Sequence, residues 1–125
     1  MKFSLDNNEV QFRIDAYSAD SIRVSGQDYK DSLIVTPGKI IPGWQPASVG
    51  ELVLRDMEQV LPLDLQVLLL GTGRTLLFPP PPLMAGLAAK GIGLEVMDTA
   101  AACRTYNILA AEGRRVGAAL IIEHL

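Results

Sequence analysis

Three short polar segments each follow a run of apolar residues, and together they could form a binding site. They are Gly71-Thr72-Gly73-Arg74, Asp98-Thr99 and Glu123-His124. Glycines allow a backbone to approach an anion closely, a helix N-terminus supplies N–H donors, and arginine pairs with carboxylates or phosphates. These residue types therefore indicate a small-molecule or anion site, provided that the fold brings the three segments together.

The Gly71-Thr72-Gly73 segment has two interpretations. In the first, its backbone holds a phosphate in front of a following helix. The spacing, however, is neither that of a P-loop nor that of a dinucleotide fingerprint, and the next helix starts in the run Pro79-Pro80-Pro81-Pro82. Because proline has no backbone N–H, that helix start lacks several donors. The sequence favours the second interpretation, in which the glycines supply unusual backbone angles to a tight loop.

The segment Arg104-Thr105-Tyr106-Asn107 lies in the middle of a predicted helix that Asp98 starts and Gly113 ends. Asp98 is a typical N-cap residue, which places negative charge where an anion would bind. At about 1.5 Å per residue, Arg104 can reach back to the helix start but Asn107 cannot. The candidate ligand-binding residues are therefore Gly71, Thr72, Gly73, Arg74, Asp98, Thr99 and Arg104.

Catalytic chemistry has little support. Cys103 is predicted to lie beside the buried face of its helix, where cysteine is usually inert. The single histidine, His124, is next to last and is interpreted as an exposed tail residue. No spacing of His, Cys, Asp or Glu suits a metal. We expect no catalytic residue, no metal and no cofactor, and the question of an enzyme stays open.

The elements that would position these residues differ between the two halves of the chain. In the first half, residues 11–17, 21–25 and 31–36 alternate or are rich in strand formers, with a turn at residues 26–28, and Ile40-Ile41 extends the pattern. This predicts an antiparallel meander. In the second half, a helix is predicted at 49–60, with Ser48 as its N-cap. The elements after it are strand 65–70, helix 83–90, strand 92–97, the Arg104 helix and strand 116–122. These five elements predict a parallel βαβαβ unit.

One three-layer β/β/α domain over residues 1–125 accommodates both halves. The meander is predicted to pack on one side of the parallel sheet, and the helices to cover the other. Since ligands bind outside the carboxyl ends of parallel strands, the three polar segments are predicted to meet at one edge.

Composition limits the partners. The chain has 125 residues, 49% of them hydrophobic, and a net charge of −3, which argues against a nucleic-acid partner. The single cysteine fits a reducing compartment, and no apolar run approaches the roughly 20 residues of a membrane span. The first ten residues carry one lysine and no apolar core, so we expect no signal peptide and a cytoplasmic location.

The motifs together resemble one family. They are Gly71-Thr72-Gly73, the proline-rich helix start, Gly91-Ile92-Gly93 through Asp98-Thr99, Arg104-Thr105-Tyr106-Asn107 and Glu112-Gly113-Arg114, with Tyr29, Ser32, Pro37 and Trp44 in the first half. This combination resembles the domain shared by the mitochondrial NADH dehydrogenase (complex I) assembly factor 3, the adipogenesis-associated protein and uncharacterised bacterial proteins. The resemblance implies a β/β/α fold, no established catalytic residues and, from the mitochondrial relative, action through partner proteins.

Two functions stay open at this point. The first is a non-catalytic protein-interaction or assembly module with an unidentified protein partner and a possible homo-oligomeric state. Ile108 and Ala101, opposite the buried face of their helix, would suit such a surface. The second is a small-molecule or anion-binding protein with its site at the strand-end edge. A plainer alternative is that the polar helix residues are all structural.

Overall fold

The computed structural model describes residues 10–124, which form two α-helices and eight strands, and the strands are arranged in two sheets. The strands are β1 (Ile14–Tyr17), β2 (Ile22–Val24), β3 (Gln27–Tyr29), β4 (Leu33–Thr36), β5 (Lys39–Pro42), β6 (Val67–Gly71), β7 (Gly93–Met97) and β8 (Val116–Leu120). The helices are α1 (Pro81–Ala89) and α2 (Thr99–Ala111). The signal-peptide prediction concerns the first ten residues, nearly all of which lie outside the described residues.

The larger sheet has the order β5-β4-β8-β6-β7. β6 pairs in parallel with both β7 and β8, as the βαβαβ prediction requires. β4 pairs antiparallel with β8 and β5, so the β4–β5 hairpin belongs to this sheet and not to the N-terminal meander. The physical reason is that all four β4 side chains are buried, and only a sheet covered on both faces provides that environment.

The smaller sheet is the antiparallel set β1-β2-β3. The predicted turn at residues 26–28 is wrong by about two positions, because Gln27–Tyr29 is a strand. The chain turns instead at Ser25 and Gly26, which have φ values of 47° and 87°. Positive φ at both central residues is the requirement of a tight two-residue hairpin.

Two apolar cores lie on opposite faces of the larger sheet. One face contacts the smaller sheet and α2, through residues such as Ile22, Leu69 and Tyr106. The other face contacts α1 and residues 49–65, through residues such as Leu68 and Leu87. The α/β class with a small antiparallel sheet on a larger one is confirmed. The detail differs in that α2 shares a face with the smaller sheet, while α1 covers the opposite face.

The helix predicted at residues 49–60 is wrong. That part of the chain forms short 3₁₀ helices at Val49–Glu51, Leu54–Met57 and Leu61–Leu63, and Ser48 makes no side-chain capping bond among the described residues. Val53 is extended at φ −128° and ψ 163°. The Trp44 indole N–H donates to the Asp56 carbonyl at 2.9 Å, while the Val60 N–H donates to Met57. The carbonyl that an α-helix would use is therefore already bound by Trp44.

Within residues 10–124, neither helix is long and apolar enough to cross a membrane.

Candidate functional site

A pocket of about 410 Å³ lies at the carboxyl ends of the parallel strands, where the site was predicted. Four of the seven predicted residues line it, namely Gly73, Arg74, Asp98 and Thr99. Gly71 and Thr72 do not line the pocket, and Arg104 stands beside it without being part of its wall. The remaining lining residues are Tyr17, Ser18, Ala19, Ala100, Ile121, Ile122 and Glu123.

Thr99 joins the elements around the pocket. Its hydroxyl oxygen accepts from the Gly73 N–H at 2.8 Å and donates to the Ile121 carbonyl at 2.8 Å. The side chain is buried, so both bonds are shielded from water. Thr99 thus connects the loop after β6, the start of α2 and the end of β8. The sequence predicted Thr99 to bind a ligand, whereas these bonds give its hydroxyl a structural role.

Gly71 and Thr72 serve the packing behind the pocket. A β-carbon at Gly71 would lie 2.9 Å from the Thr99 Cα, so glycine lets α2 approach β6 closely. The Thr72 hydroxyl donates to the Thr75 carbonyl at 2.6 Å and accepts from the Leu77 N–H at 3.3 Å. These two residues shape the loop and present no group to a ligand in the pocket.

In the loop after β6, the N–H groups of Gly73 and Arg74 donate to other residues of the fold and are not free to bind an anion. The Gly73 N–H is taken by Thr99, and the Arg74 N–H donates to the Glu123 carboxylate at 2.8 Å. Gly73 has a φ of 100°, and a β-carbon there would collide with the Glu123 carboxylate. The tight-loop interpretation holds for Gly73, because this backbone conformation is one that glycine adopts without strain. It does not hold for Gly71, which is the last residue of β6 and has no positive φ.

The charged side chains around the pocket are mostly held by the fold. Asp98 caps α2, since its Oδ1 accepts from the Ala101 N–H at 2.8 Å, as predicted. The Arg74 guanidinium pairs with Asp20 at 3.2 Å. Arg104 donates from Nη1 to the Tyr17 hydroxyl at 2.9 Å, and this bond raises the pKa of the Arg104 guanidinium above its ordinary value. Tyr17 is a neutral partner, and no carboxylate among residues 10–124 forms an ion pair with Arg104.

The smaller sheet also contributes to this pocket, which was not predicted from the sequence. Tyr17, Ser18 and Ala19 lie at the end of β1 and in the turn after it, about 80 positions before α2 along the chain. No spacing or motif signals that contact, because it depends on how the two sheets pack. Glu123 was identified at a strand end, but its contact with the Arg74 backbone needs the loop geometry.

The Tyr106 and Asn107 side chains attach β1 to α2. The Tyr106 hydroxyl donates to the Phe12 carbonyl at 2.7 Å. The Asn107 amide accepts from the Ile14 N–H at 3.0 Å and donates to the Ile14 carbonyl at 2.7 Å. The Tyr106 hydroxyl and the Asn107 amide are thus bonded to the backbone of the segment that contains β1.

Cys103 is buried and His124 is exposed, as the sequence predicted. Cys103 is buried in the core beneath α2, and burial raises the pKa of its thiol to about 12. Such a thiol stays protonated at neutral pH and is a poor nucleophile. His124 is exposed and contacts Asp31 at 3.0 Å. Among the described residues, no group of three His, Cys, Asp or Glu side chains could hold a metal ion.

Comparison with known proteins gives relatives over nearly the whole chain. The assembly factor 3 of the NADH dehydrogenase [ubiquinone] 1 alpha subcomplex from Xenopus tropicalis is 32% identical over 122 residues, which are 96% of this chain and 66% of that protein. The mouse protein of the same name is 29% identical, and the aligned part covers 59% of it. The chain thus spans less than two thirds of these two relatives. An uncharacterised protein of Rhodobacter capsulatus is 33% identical over 86% of this chain and 82% of its own.

Solved structures show the same fold. A Xanthomonas campestris protein determined by NMR superposes with a TM-score of 0.82 at 40% identity, covering 92% of this chain and 89% of that one. A Bordetella pertussis protein described as an Mth938-like domain gives 0.80 at 30% identity, covering 98% and 93%. The family described as "Protein of unknown function (DUF498/DUF598)" matches residues 14–121. This chain therefore belongs to the DUF498 family, whose fold and relatives agree with the resemblance to the complex I assembly factor.

Proposed function

We propose that this protein is a non-catalytic, assembly-factor-like module that acts by binding another protein. The observation that carries the proposal is how the strand-end residues are used. Thr72, Thr99 and the Gly73 and Arg74 N–H groups are all bonded within the fold. A site built for catalysis or for phosphate would keep such groups available to its substrate. Relatives named as assembly factors support the same proposal.

The first test concerns assembly itself. We expect deletion of the gene in its source organism to reduce the amount of fully assembled NADH dehydrogenase complex on blue-native gels, and wild-type protein to restore it. The variant Cys103→Ala, which changes only a buried thiol, should restore it as well if it folds. An unchanged amount of assembled complex in the deletion strain would refute a role in assembling that complex.

The second test concerns the protein partner. We expect the tagged full chain, isolated from native lysate at low salt, to enrich the same protein in every repeat, and tagging that protein to recover this chain. The module would work in the cytoplasm as one domain, without nucleic acid or a cofactor, and subcellular fractionation checks the location. Repeated isolation with no enriched protein would contradict the interaction role.

A small polar molecule in the strand-end pocket is the second candidate function. The observation in its favour is that Arg104, beside a pocket of about 410 Å³, is bonded to a neutral hydroxyl and to no carboxylate among the described residues. The carboxylates of Asp98 and Glu123 line the same pocket, so an anion alone would meet repulsion there. A thermal-shift screen of nucleotides and metabolites tests this, because a ligand stabilises the folded state by mass action. The site is supported only if a compound that stabilises the wild-type protein does not stabilise the Arg104→Gln variant.

A further inference from the structure

Residues 75–89 form a segment of fifteen positions without a single charged side chain, between Arg74 and Lys90. Its first part is the loop that leaves the strand-end edge. There Leu76 and Leu77 are each 50% exposed, and Phe78 is 68% exposed. Three consecutive large apolar side chains in solvent are unusual for a soluble surface, where exposed apolar residues normally occur singly.

The second part of the segment is α1, which is apolar on all sides. Leu83 and Leu87 face the core, but the opposite side of the helix consists of exposed prolines and alanines, namely Pro81, Pro82, Ala85, Ala88 and Ala89. A helix on a protein surface usually carries polar residues on its outer face. The outer face of α1 therefore has the composition of a buried surface although it is exposed.

The neighbouring 3₁₀ helix extends this surface. Leu54 lies against α1, since a β-carbon on Gly86 would be 2.9 Å from both Leu54 methyl carbons. Leu54 is nevertheless 41% exposed, and Val53 beside it is 49% exposed. The next residues along the chain, Arg55 and Asp56, are charged and would form a polar rim on that side. We call the surface formed by residues 53–54, 76–78 and the outer side of α1 the α1 patch.

The exposed apolar area of the α1 patch is large for the surface of a monomer. At roughly 200 Å² for each large side chain, its five large residues expose about 500 Å² of apolar area, already near the upper end for a monomer. The prolines and alanines of α1 extend this area toward the roughly 800 Å² per partner of a standard interface. The rigid proline run between loop and helix limits the conformational freedom that would be lost on binding.

We propose that the α1 patch is the contact surface for a second copy of this chain, in a symmetric dimer. Two copies carry the same net charge of −3, so faces rich in charge would oppose their approach. The α1 patch has no charge in its loop and helix, and an uncharged apolar surface is complementary to itself. In a two-fold dimer the same patch serves both partners, and such interfaces are more apolar than the rest of the surface. This proposal does not depend on the assembly role.

Sedimentation velocity on the full chain tests the proposal. We expect a species of twice the 13.5 kDa chain mass at protein concentrations of about 100 µM, dissociating on dilution. Phe78→Glu places a charge on the most exposed large side chain of the α1 patch and should weaken dimerisation at least about tenfold, as loss of an aromatic anchor residue does. Leu76→Ser is the second variant, in case the first does not fold by circular dichroism.

Ile108→Glu is the matched control. Ile108 is also an exposed large apolar residue, 58% exposed, but it lies on α2 on the opposite face of the larger sheet from α1. We expect this variant to dimerise like wild type. A wild-type protein that stays monomeric at about 100 µM overturns the proposal. The proposal is also overturned if Ile108→Glu dissociates the dimer while Phe78→Glu and Leu76→Ser do not. It is likewise overturned if the protein is a monomer that pellets with phosphatidylcholine vesicles, which would assign the patch to a lipid surface.

Discussion

Replacing Asn107 with alanine should loosen the smaller sheet from the body of the protein. β1 is an edge strand, bonded to β2 on one side only. On its other side, Asn107 bonds both the N–H and the carbonyl of Ile14, at 3.0 and 2.7 Å. The side-chain amide thus takes the place of a peptide group from a neighbouring strand. Alanine would leave both backbone groups of a buried residue without that partner.

The magnitude follows from those two bonds. Each lost bond that leaves a buried backbone group without a partner costs roughly 1–3 kcal/mol. Because these groups are only partly buried and water can reach some of them, we expect a total loss of about 2–4 kcal/mol in the free energy of unfolding. For a chain of this size, 1 kcal/mol corresponds to about 4 °C, so the melting temperature should fall by about 8–16 °C.

Chemical denaturation followed by circular dichroism measures this loss, and amide exchange at Ile14 locates it. Ile108→Ala is the control, since Ile108 is the next residue on α2 but is exposed, and its loss should stay within about 0.5 kcal/mol. Asn107→Asp keeps the acceptor but directs a carboxylate oxygen at the Ile14 carbonyl, so it should not rescue stability. If Asn107→Ala and Ile108→Ala cost the same, the amide bonds do not hold β1 in place and the reasoning is wrong.

Three other predictions concern the interior. Gly71→Val should lower the free energy of unfolding by about 1–3 kcal/mol in urea titrations, because its side chain would force α2 away from β6. Thr99→Val should cost about 2–4 kcal/mol through loss of two buried bonds, and Thr99→Ser should recover most of it; equal losses for both would exclude the hydroxyl as the cause. Cys103 should resist alkylation near neutral pH until the protein is unfolded. Because burial raises the pKa of the Cys103 thiol from 9.0 to about 12, its stabilising effect is complete below pH 9 and is lost as the pH rises toward 12. That loss is roughly 1.4 kcal/mol per pH unit, and Cys103→Ala should reduce the slope of stability against pH accordingly.

The parallel half of the fold could be predicted from the sequence because its signals are local. The nearly continuous apolar run before Gly71 is typical of a strand buried on both faces, and the alanine-rich helix after Asp98 follows the helical period. The cap at Asp98 was predictable for the same reason, since capping depends on residues three positions apart. Residues 49–60 were predicted wrongly because the extended backbone at Val53 interrupts the segment, and because Trp44, from outside the segment, bonds the Asp56 carbonyl.

The position of the strand-end pocket could be predicted from the sequence, but the hydrogen-bond partners of the residues around it could not. Topology alone puts the ends of β6, β7 and β8 at one edge, and four of the seven candidate residues do line a pocket there. Which donors remain available is decided by contacts over long sequence separations, such as that between Arg74 and Glu123. A sequence specifies which groups can form hydrogen bonds, but not which partners the fold places within hydrogen-bond distance of them.

The sequence by itself determined the class of the fold and the βαβαβ order, because periodicity, capping and residue type are local properties. Only the tertiary structure decided how the Arg-Thr-Tyr-Asn run is used. Tyr106 and Asn107 bond the backbone of β1, and Arg104 bonds Tyr17 at its end. These partners lie 87 to 94 positions away along the chain. They meet because both the smaller sheet and α2 bury their apolar sides on one face of the larger sheet, a requirement that no local pattern encodes.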